Sequence, residues 1–446
     1  MKKFIQTIKD IWSIEELRNK ILLTLGFMAI YRLAAQVPLP GIDITVAQAA
    51  LKSQTSGGGI LGLLDMFTGG AFAQASIVAL GIMPYISASI VVQLMGIAVP
   101  YLQKLQKDGE SGRKKINQIT RWLTIAITMV QGPAYITNIY QLIPSEAFYI
   151  SGSMFWLSSM VILTSGTVFA MWLGEKITDK GIGNGISLLI MIGIIARFPE
   201  SFMQEVVSKT TASGGGGGMM MILLEVIAWF LVILVCVYLV TAVRRIAVQY
   251  ARKTVAGNIK NVAGARDYIP LKLNSSGVMP IIFAQAIMFA PALMAGSEND
   301  TIKSIGIEFS NMFGLWYNML FAFLIIIFSY FYTAITIPTN KMADDLKRSG
   351  GFIPGIRPGK DTGDLLDRIL SLITFPGSLF LAAVAILPAI VVKFGLTQSW
   401  ALFYGGTSLL IMVGVAIDTI QQINSHLLNR HYDGLMKKGT KRKSVA

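Results

Sequence analysis

The chain has 446 residues, 53% hydrophobic and only 14% charged, with a formal net charge of +14 and a mean hydropathy of +0.60. A soluble core of this length does not use so much apolar surface, so a soluble globular enzyme is excluded and an integral membrane protein is expected. Both histidines, His426 and His431, lie near the C-terminus, Cys236 is the only cysteine, and no HExxH or GxSxG run occurs. No catalytic residue, metal site or cofactor is therefore expected.

Met1–Lys20 carries charges throughout, and Phe4, Ile5, Ile8, Ile11 and Trp12 recur at helical spacing. That pattern predicts an amphipathic helix on the inner membrane surface rather than a cleavable signal. Ten apolar segments of membrane-crossing length follow, near Ile21–Val37, Ser76–Gly96, Trp122–Tyr140, Met154–Leu173, Ile186–Phe202, Met219–Val243, Ser276–Ala295, Met312–Ile335, Ile373–Val392 and Trp400–Ile420. They predict an all-α protein with ten transmembrane helices. Lys and Arg concentrate in cytoplasmic loops. With the N-terminus inside, 32 of the 38 basic residues fall on that side, the exceptions being Arg32, Lys52, Arg197, Lys209, Lys303 and Lys393. Losing one span would scramble this alternation, so both termini are expected in the cytoplasm.

The stretch Gly57–Gly96 contains a hydrophobic segment broken by glycines. With no water in the hydrocarbon core, a broken helix persists only where it lines a cavity or is covered by protein, so the break predicts a passage. Five consecutive glycines, Gly214–Gly218, lie in the run 213–218, which reads as an external linker dividing the chain into halves, 21–212 and 219–422, with a basic tail over 423–446. Ala79–Pro84 and Ser276–Pro280 share Gly-x-Met-Pro near the start of the second helix of each half. Halves of opposite topology around a central path are a common plan for proteins that move something across a membrane.

Two cytoplasmic connections, 244–275 and 336–372, are long and basic. In the first, Ile246, Val248 and Tyr250, then Ile269, Leu271 and Leu273, alternate with other residues and predict two strands over Arg244–Tyr250 and Ile269–Leu273. In the second, Lys341–Lys360 contains Gly350–Gly351 and two prolines flanking Gly355–Arg357, which predicts a rigid, shaped tip. The Gly181–Ser187 run, GIGNGIS, lacks a P-loop lysine and follows a membrane helix. It reads as a tight turn before helix 5.

Arg32, Glu225 and Asp418 are the intramembrane charges, each toward a helix end where it can snorkel or cap. A proton-coupled carrier keeps a carboxylate or His near the midplane, so this inventory weakens the alternative of a secondary transporter for a small polar solute. Ile82, Ile86 and Ile90 form a stripe on helix 2, read either as lipid-facing or packing residues, or as part of a hydrophobic constriction. Ser87, Ser89 and Gln93 on the same helix, with Gln131 on helix 3 and Gln285 on helix 7, form either a polar seam or ordinary helix glue.

The segments YRL…PLPGID (Tyr31–Asp43), LDMFTGG (Leu64–Gly70), ALGIMPYISASI (Ala79–Ile90), GESGRKKI (Gly109–Ile116), GIGNGIS, FIPGIRPG (Phe352–Gly359) and FYGGTSLLI (Phe403–Ile411) resemble the bacterial SecY family across all ten spans. The resemblance implies the central subunit of a protein-conducting channel in the bacterial inner membrane. It implies a plug at about Ile60–Gly70, carrying Leu64, Phe67, Gly69 and Gly70, with Phe67 facing the pore. It also implies a pore ring of Ile82, Ile86, Ile190, Ile282 and Ile411. A lateral gate between helices 2/3 and 7/8 would involve Ser87, Ile90, Gln93, Gln131 and Gln285. Arg244, Arg245 and Arg357 would dock the ribosome or the SecA motor ATPase. The implied partners further include the small membrane subunits SecE and SecG, signal peptides, nascent polypeptides and lipid. The Thr45–Gly59 stretch and the Gly-rich connection depart from the family pattern.

Overall fold

The computed structural model describes all residues except 1–10, 56–59, 145–146, 151, 213–216, 251–265, 275–276, 294–303, 305, 307, 310 and 444–446. The structure is mostly helical, with two compact units: Met1–Ser208 with Thr397–Trp400 and Val415–Ala446, and Lys209–Leu396 with Ala401–Gly414. The amphipathic stretch around Phe4–Ile8 and the core of the Gly-rich linker lie outside the described residues. Gly217 and Gly218 instead open a helix.

In the first unit, α1 (Glu15–Gln36) begins earlier than hydropathy predicts, with Glu15 and Glu16 complementing its N-terminal dipole. Next come α2 (Ile44–Thr55), α3 (Ile60–Thr68), α4 (Met83–Ala98) and α5 (Pro100–Lys107). The chain turns at Val99, held extended (ψ 113°) by the proline after it. Three long helices complete this part, α6 (Gly109–Leu142), α7 (Gly152–Lys180) and α8 (Gly185–Ala212). Thr120, Thr124, Thr128, Gly132, Tyr135, Ile136 and Ile139 make one buried stripe of α6, which packs against α4 and α7.

The PLPGID motif is an extended spacer bonded along both edges. On one edge Leu39 N donates to Ala75 O (2.7 Å) and Ile77 N to Val37 O (2.9 Å); on the other Asp43 N donates to Ala147 O (2.8 Å) and Tyr149 N to Gly41 O (3.0 Å). Asp43 then caps α2, and hydrogen bonds from Thr45 hold its carboxyl below the usual range. GIGNGIS is a tight turn whose backbone donors are already taken: Ile182 N by Thr24 Oγ1, Gly183 N by Gln422 Oε1, Gly185 N by Thr178 Oγ1 and Ile186 N by Asn184 Oδ1.

The second unit contains α9 (Gly217–Thr241), β1 (Val243–Tyr250), β2 (Arg266–Lys272), α10 (Met279–Leu293), α11 (Leu315–Thr336), α12 (Thr339–Arg348), β3 (Gly351–Phe352), α13 (Lys360–Lys393) and the short α14 (Gln398–Ala401), of which Gln398–Trp400 belong to the first unit. The final helix, α15 (Gly406–Lys443), starts here and continues in the first unit. The two predicted strands form an antiparallel pair with Ile246 opposite Ile269. β3, which alternation did not reveal, pairs on the other side of β1 through Gln249 and Tyr250. Pro270 is tolerated because β2 is an edge strand. Beneath the sheet, Ile246, Val248, Leu271, Leu346, Ile353, Leu366, Leu370 and Ile373 make one buried cluster. Tyr250, predicted to share the inward face, is 43% exposed.

Among the described residues six helices are long and apolar enough to cross a membrane, or up to seven if the bent α4–α5 pair is one span. α1 and α6 have the length, at 22 and 34 residues, but carry more polar residues. The helix of the second predicted span is shortened: Ser76–Ile82 is bridge and turn, and α4 begins at Met83.

Candidate functional site

The broken segment resolves into α3, a glycine turn, a bonded loop and α4. α3 ends where Gly69 N donates to Met66 O (3.1 Å) and Gly70 N to Asp65 O (2.8 Å). Gly69 (φ +67°) and Gly70 (φ +90°) occupy left-handed conformations that disfavour other residues. Gly193 of α8 lies against this turn: a Cβ there would sit 2.7 Å from Phe67 O and 3.3 Å from Gly69 N. Only a hydrogen fits, so α3 meets α8 backbone to backbone. The loop after the turn is bound to the scaffold by Tyr135 Oη, which donates to Phe72 O at 2.9 Å while its ring packs on Phe72 with centroids 4.8 Å apart.

Charge completes the seating. Asp65 is 1% exposed; its Oδ1 accepts from Ala73 N at 2.7 Å, and its Oδ2 is ion-paired with Arg197 Nη2 of α8. Arg197 Nη1 also donates to Glu200 Oε2 at 2.6 Å, and Lys52 Nζ stands 3.6 Å from Glu200 Oε1. Arg32 Nη1 donates to Gly69 O at 2.9 Å. Arg32 was expected to snorkel or cap; instead it grips the glycine turn. Glu225 departs from the same expectation, being 7% exposed and paired with Lys209 at 3.2 Å.

Of the other predicted residues in the first unit, Phe67, Ile82, Ile90 and Ile190 are buried, while Leu64, Ile86, Ser87, Gln93 and Gln131 are half-buried. Ile82 caps α4, with Ile86 N donating to Ile82 O at 3.1 Å. Gln93 Nε2 donates to Ser89 Oγ of its own helix at 3.3 Å. In the second unit Ile411 is 2% exposed and Ile282 half-buried. Gln285 is buried, and its Nε2 has no hydrogen-bond partner among the described residues. Arg244, Arg245 and Arg357 are all exposed, the first two on β1 and the third in the tip, where its carbonyl accepts from Thr362 Oγ1 at 2.8 Å.

Asp65, Arg197, Gly193 and Arg32 were not among the predicted site residues. For the charged ones the sequence signal is charge where charge is scarce, an acid inside the apolar run ILGLLDMF and Arg197 with Glu200 inside the fifth span Ile186–Phe202, two charges that the expected set of Arg32, Glu225 and Asp418 left out.

A model of the SecY family matches residues 76–420. The chain belongs to the SecY family. Protein translocase subunit SecY of Streptomyces coelicolor is 38% identical over 438 residues, covering 95% of this chain and 97% of its own length. Its counterpart from Mycobacterium tuberculosis is 37% identical over 460 residues, covering 98% and 100%. Among solved structures, a protein-conducting channel aligns with TM-score 0.59 at 17% identity, over 91% of both chains. A SecY whose plug domain stabilises the closed state of the translocation channel aligns with TM-score 0.61 at 19% identity, again over 91% of both. Sec61 in a canine ribosome-channel complex aligns with TM-score 0.57 at 17% identity, over the same share of each. The resemblance read from the motifs is thereby borne out, and the SecY fold extends over nearly the whole chain. The secondary-transporter alternative gains no support from these relatives.

Proposed function

We propose that this chain is the central, pore-forming subunit of a protein translocase, a passive gated channel that passes unfolded polypeptides across the membrane and releases apolar segments sideways into lipid. The observation that carries this is near-full-length similarity to translocase subunits, together with a short half-helix seated on α8 by a glycine turn. A nascent chain presents every kind of side chain in turn. A pore indifferent to sequence is best made from an apolar constriction with a movable stopper, because fixed polar sites would hold some segments and reject others.

In this reading ten spans form two inverted halves with both termini in the cytoplasm of a bacterial inner membrane. α3 with Gly69–Gly70 is the plug, and Ile82, Ile86, Ile190, Ile282 and Ile411 form the ring. Ser87, Ile90, Gln93, Gln131 and Gln285 line the lateral gate, where a signal sequence shifts the population toward an open state. Arg244, Arg245 and Arg357 receive the ribosome or the SecA motor, which supplies the energy, and SecE and SecG complete the complex. The exposed placement of the three arginines supports that assignment.

The test is Ile86→Asn or Ile411→Asn in the translocating complex. Hydrating the ring is expected to raise export of a substrate with a defective signal sequence by about tenfold, the factor that roughly 1.4 kcal/mol of lost gating energy produces. Unchanged export removes those residues from the ring.

A further inference from the structure

We propose that Arg197 is a plug latch: by pairing with the buried carboxylate of Asp65 it holds α3 on its seat, and the plug leaves only when that ion pair is broken. The inference rests on reading α3 as the plug and adds the residues that keep it shut.

A carboxylate that is 1% exposed is retained in such a place only when its charge is matched. Asp65 is matched by a helix other than its own, and its second oxygen, bonded to Ala73 N at 2.7 Å, fixes the direction in which the charge points. Most contacts in this unit join long helices to one another. This one joins a helix of 9 residues, ending at two left-handed glycines, to α8.

Ile190, Gly193 and Arg197 recur at helical spacing on α8 and share one face. Along that face lie a proposed ring residue, the glycine whose missing Cβ would stand 2.7 Å from Phe67 O, and the latch. A polypeptide that passes Ile190 next meets the groups that hold the plug. Release strands neither charge. Asp65 moves toward water, and Arg197 keeps Glu200, whose side chain is 57% exposed and 2.6 Å away. Arg32 on Gly69 O is a second hold that carries no opposing charge. The latch is thus strong when seated and inexpensive to leave open, as a reversible stopper requires.

The experiment uses membrane vesicles carrying the channel in its full complex, read by resting chloride leak and by export of a secretory protein. Asp65→Asn keeps the oxygen that accepts from Ala73 and removes only the charge. Arg197→Gln leaves Asp65 buried and unmatched, and is expected to have the larger effect. Both should raise the resting leak, by about tenfold for Arg197→Gln, equivalent to roughly 1.4 kcal/mol in the closed-to-open balance. Arg197→Lys and the exchange Asp65→Arg/Arg197→Asp should each leak less than Arg197→Gln, at equal amounts of chain in the membrane. Single variants that seal like the parent, or an exchange whose leak equals the product of the effects of Asp65→Arg and Arg197→Asp measured singly, would overturn the latch. Parent vesicles that pass no secretory protein would instead overturn the channel reading beneath it.

Discussion

The proposed plug segment and the three-stranded platform are both departures from the helical scaffold, and they differ in how much of their hold is polar. Residues 60–82 pack Leu61, Leu64, Phe72 and Ala79 into an apolar cluster and add directional polar contacts: Asp65 to Arg197, Arg32 to Gly69 O, and Tyr135 to Phe72 O at 2.9 Å. The platform of β1, β2, β3 and α12 rests on a buried apolar cluster that includes Leu271, Leu346 and Leu366. Polar contacts can be exchanged for water or for a new partner at small net cost, whereas separating an apolar cluster forfeits its full burial. In the proposed reading the first region carries the exchangeable holds a moving plug needs, and the second stays in place while its exposed arginines meet partners.

Three substitutions test that contrast. Leu366→Ala, at a side chain 1% exposed, is expected to cost about 3 kcal/mol, within the range for large-to-small core changes. The platform should become sensitive to protease and motor-driven translocation should fall, with the resting ion seal unchanged; a leak appearing together with the platform defect would break the contrast. Arg357→Glu alters the tip without touching the cluster. It should reduce motor-driven translocation by about tenfold, the equivalent of roughly 1.4 kcal/mol of docking energy, while the amount of chain in the membrane stays at the parent level. Normal translocation would remove the docking role. Tyr135→Phe deletes one hydrogen bond to the loop after α3 and keeps the ring packed on Phe72, a loss of about 1 kcal/mol. A modest rise in leak with normal motor binding is expected, and impaired motor binding would count against the separation of the two regions.

The same contrast explains what could be read from the sequence. The platform was legible because Ile246, Val248, Ile269 and Leu271 alternate, and burial follows that period. β3 was not, since two residues carry no period. Helix ends were misjudged where polar turns continue the backbone beyond the apolar run, as at Glu15 of α1, Gly109 of α6 and Lys360 of α13. Hydropathy marks where a helix meets hydrocarbon and not where its hydrogen bonds stop. The break after α3 was visible in Gly69–Gly70, yet the ion pair beside it was not. Asp65 and Arg197 lie far apart in sequence, and nothing local specifies which charges meet. Gly193 gave no warning either, because a glycine in a membrane helix is ordinary until a neighbouring backbone is seen against it.

A polypeptide in transit is expected to pass the face of α8 beside the proposed plug. Cys236 is buried and is the only cysteine, so a Cys236→Ala background allows single cysteines at Phe67, at Ile190 and, as a membrane-facing control, at Leu224, which is 68% exposed on α9. A secretory chain stalled in transit should crosslink to the cysteines at Ile190 and Phe67 and not to the one at Leu224. Crosslinks confined to position 224, or none at 190 with a chain demonstrably stalled, would contradict the account.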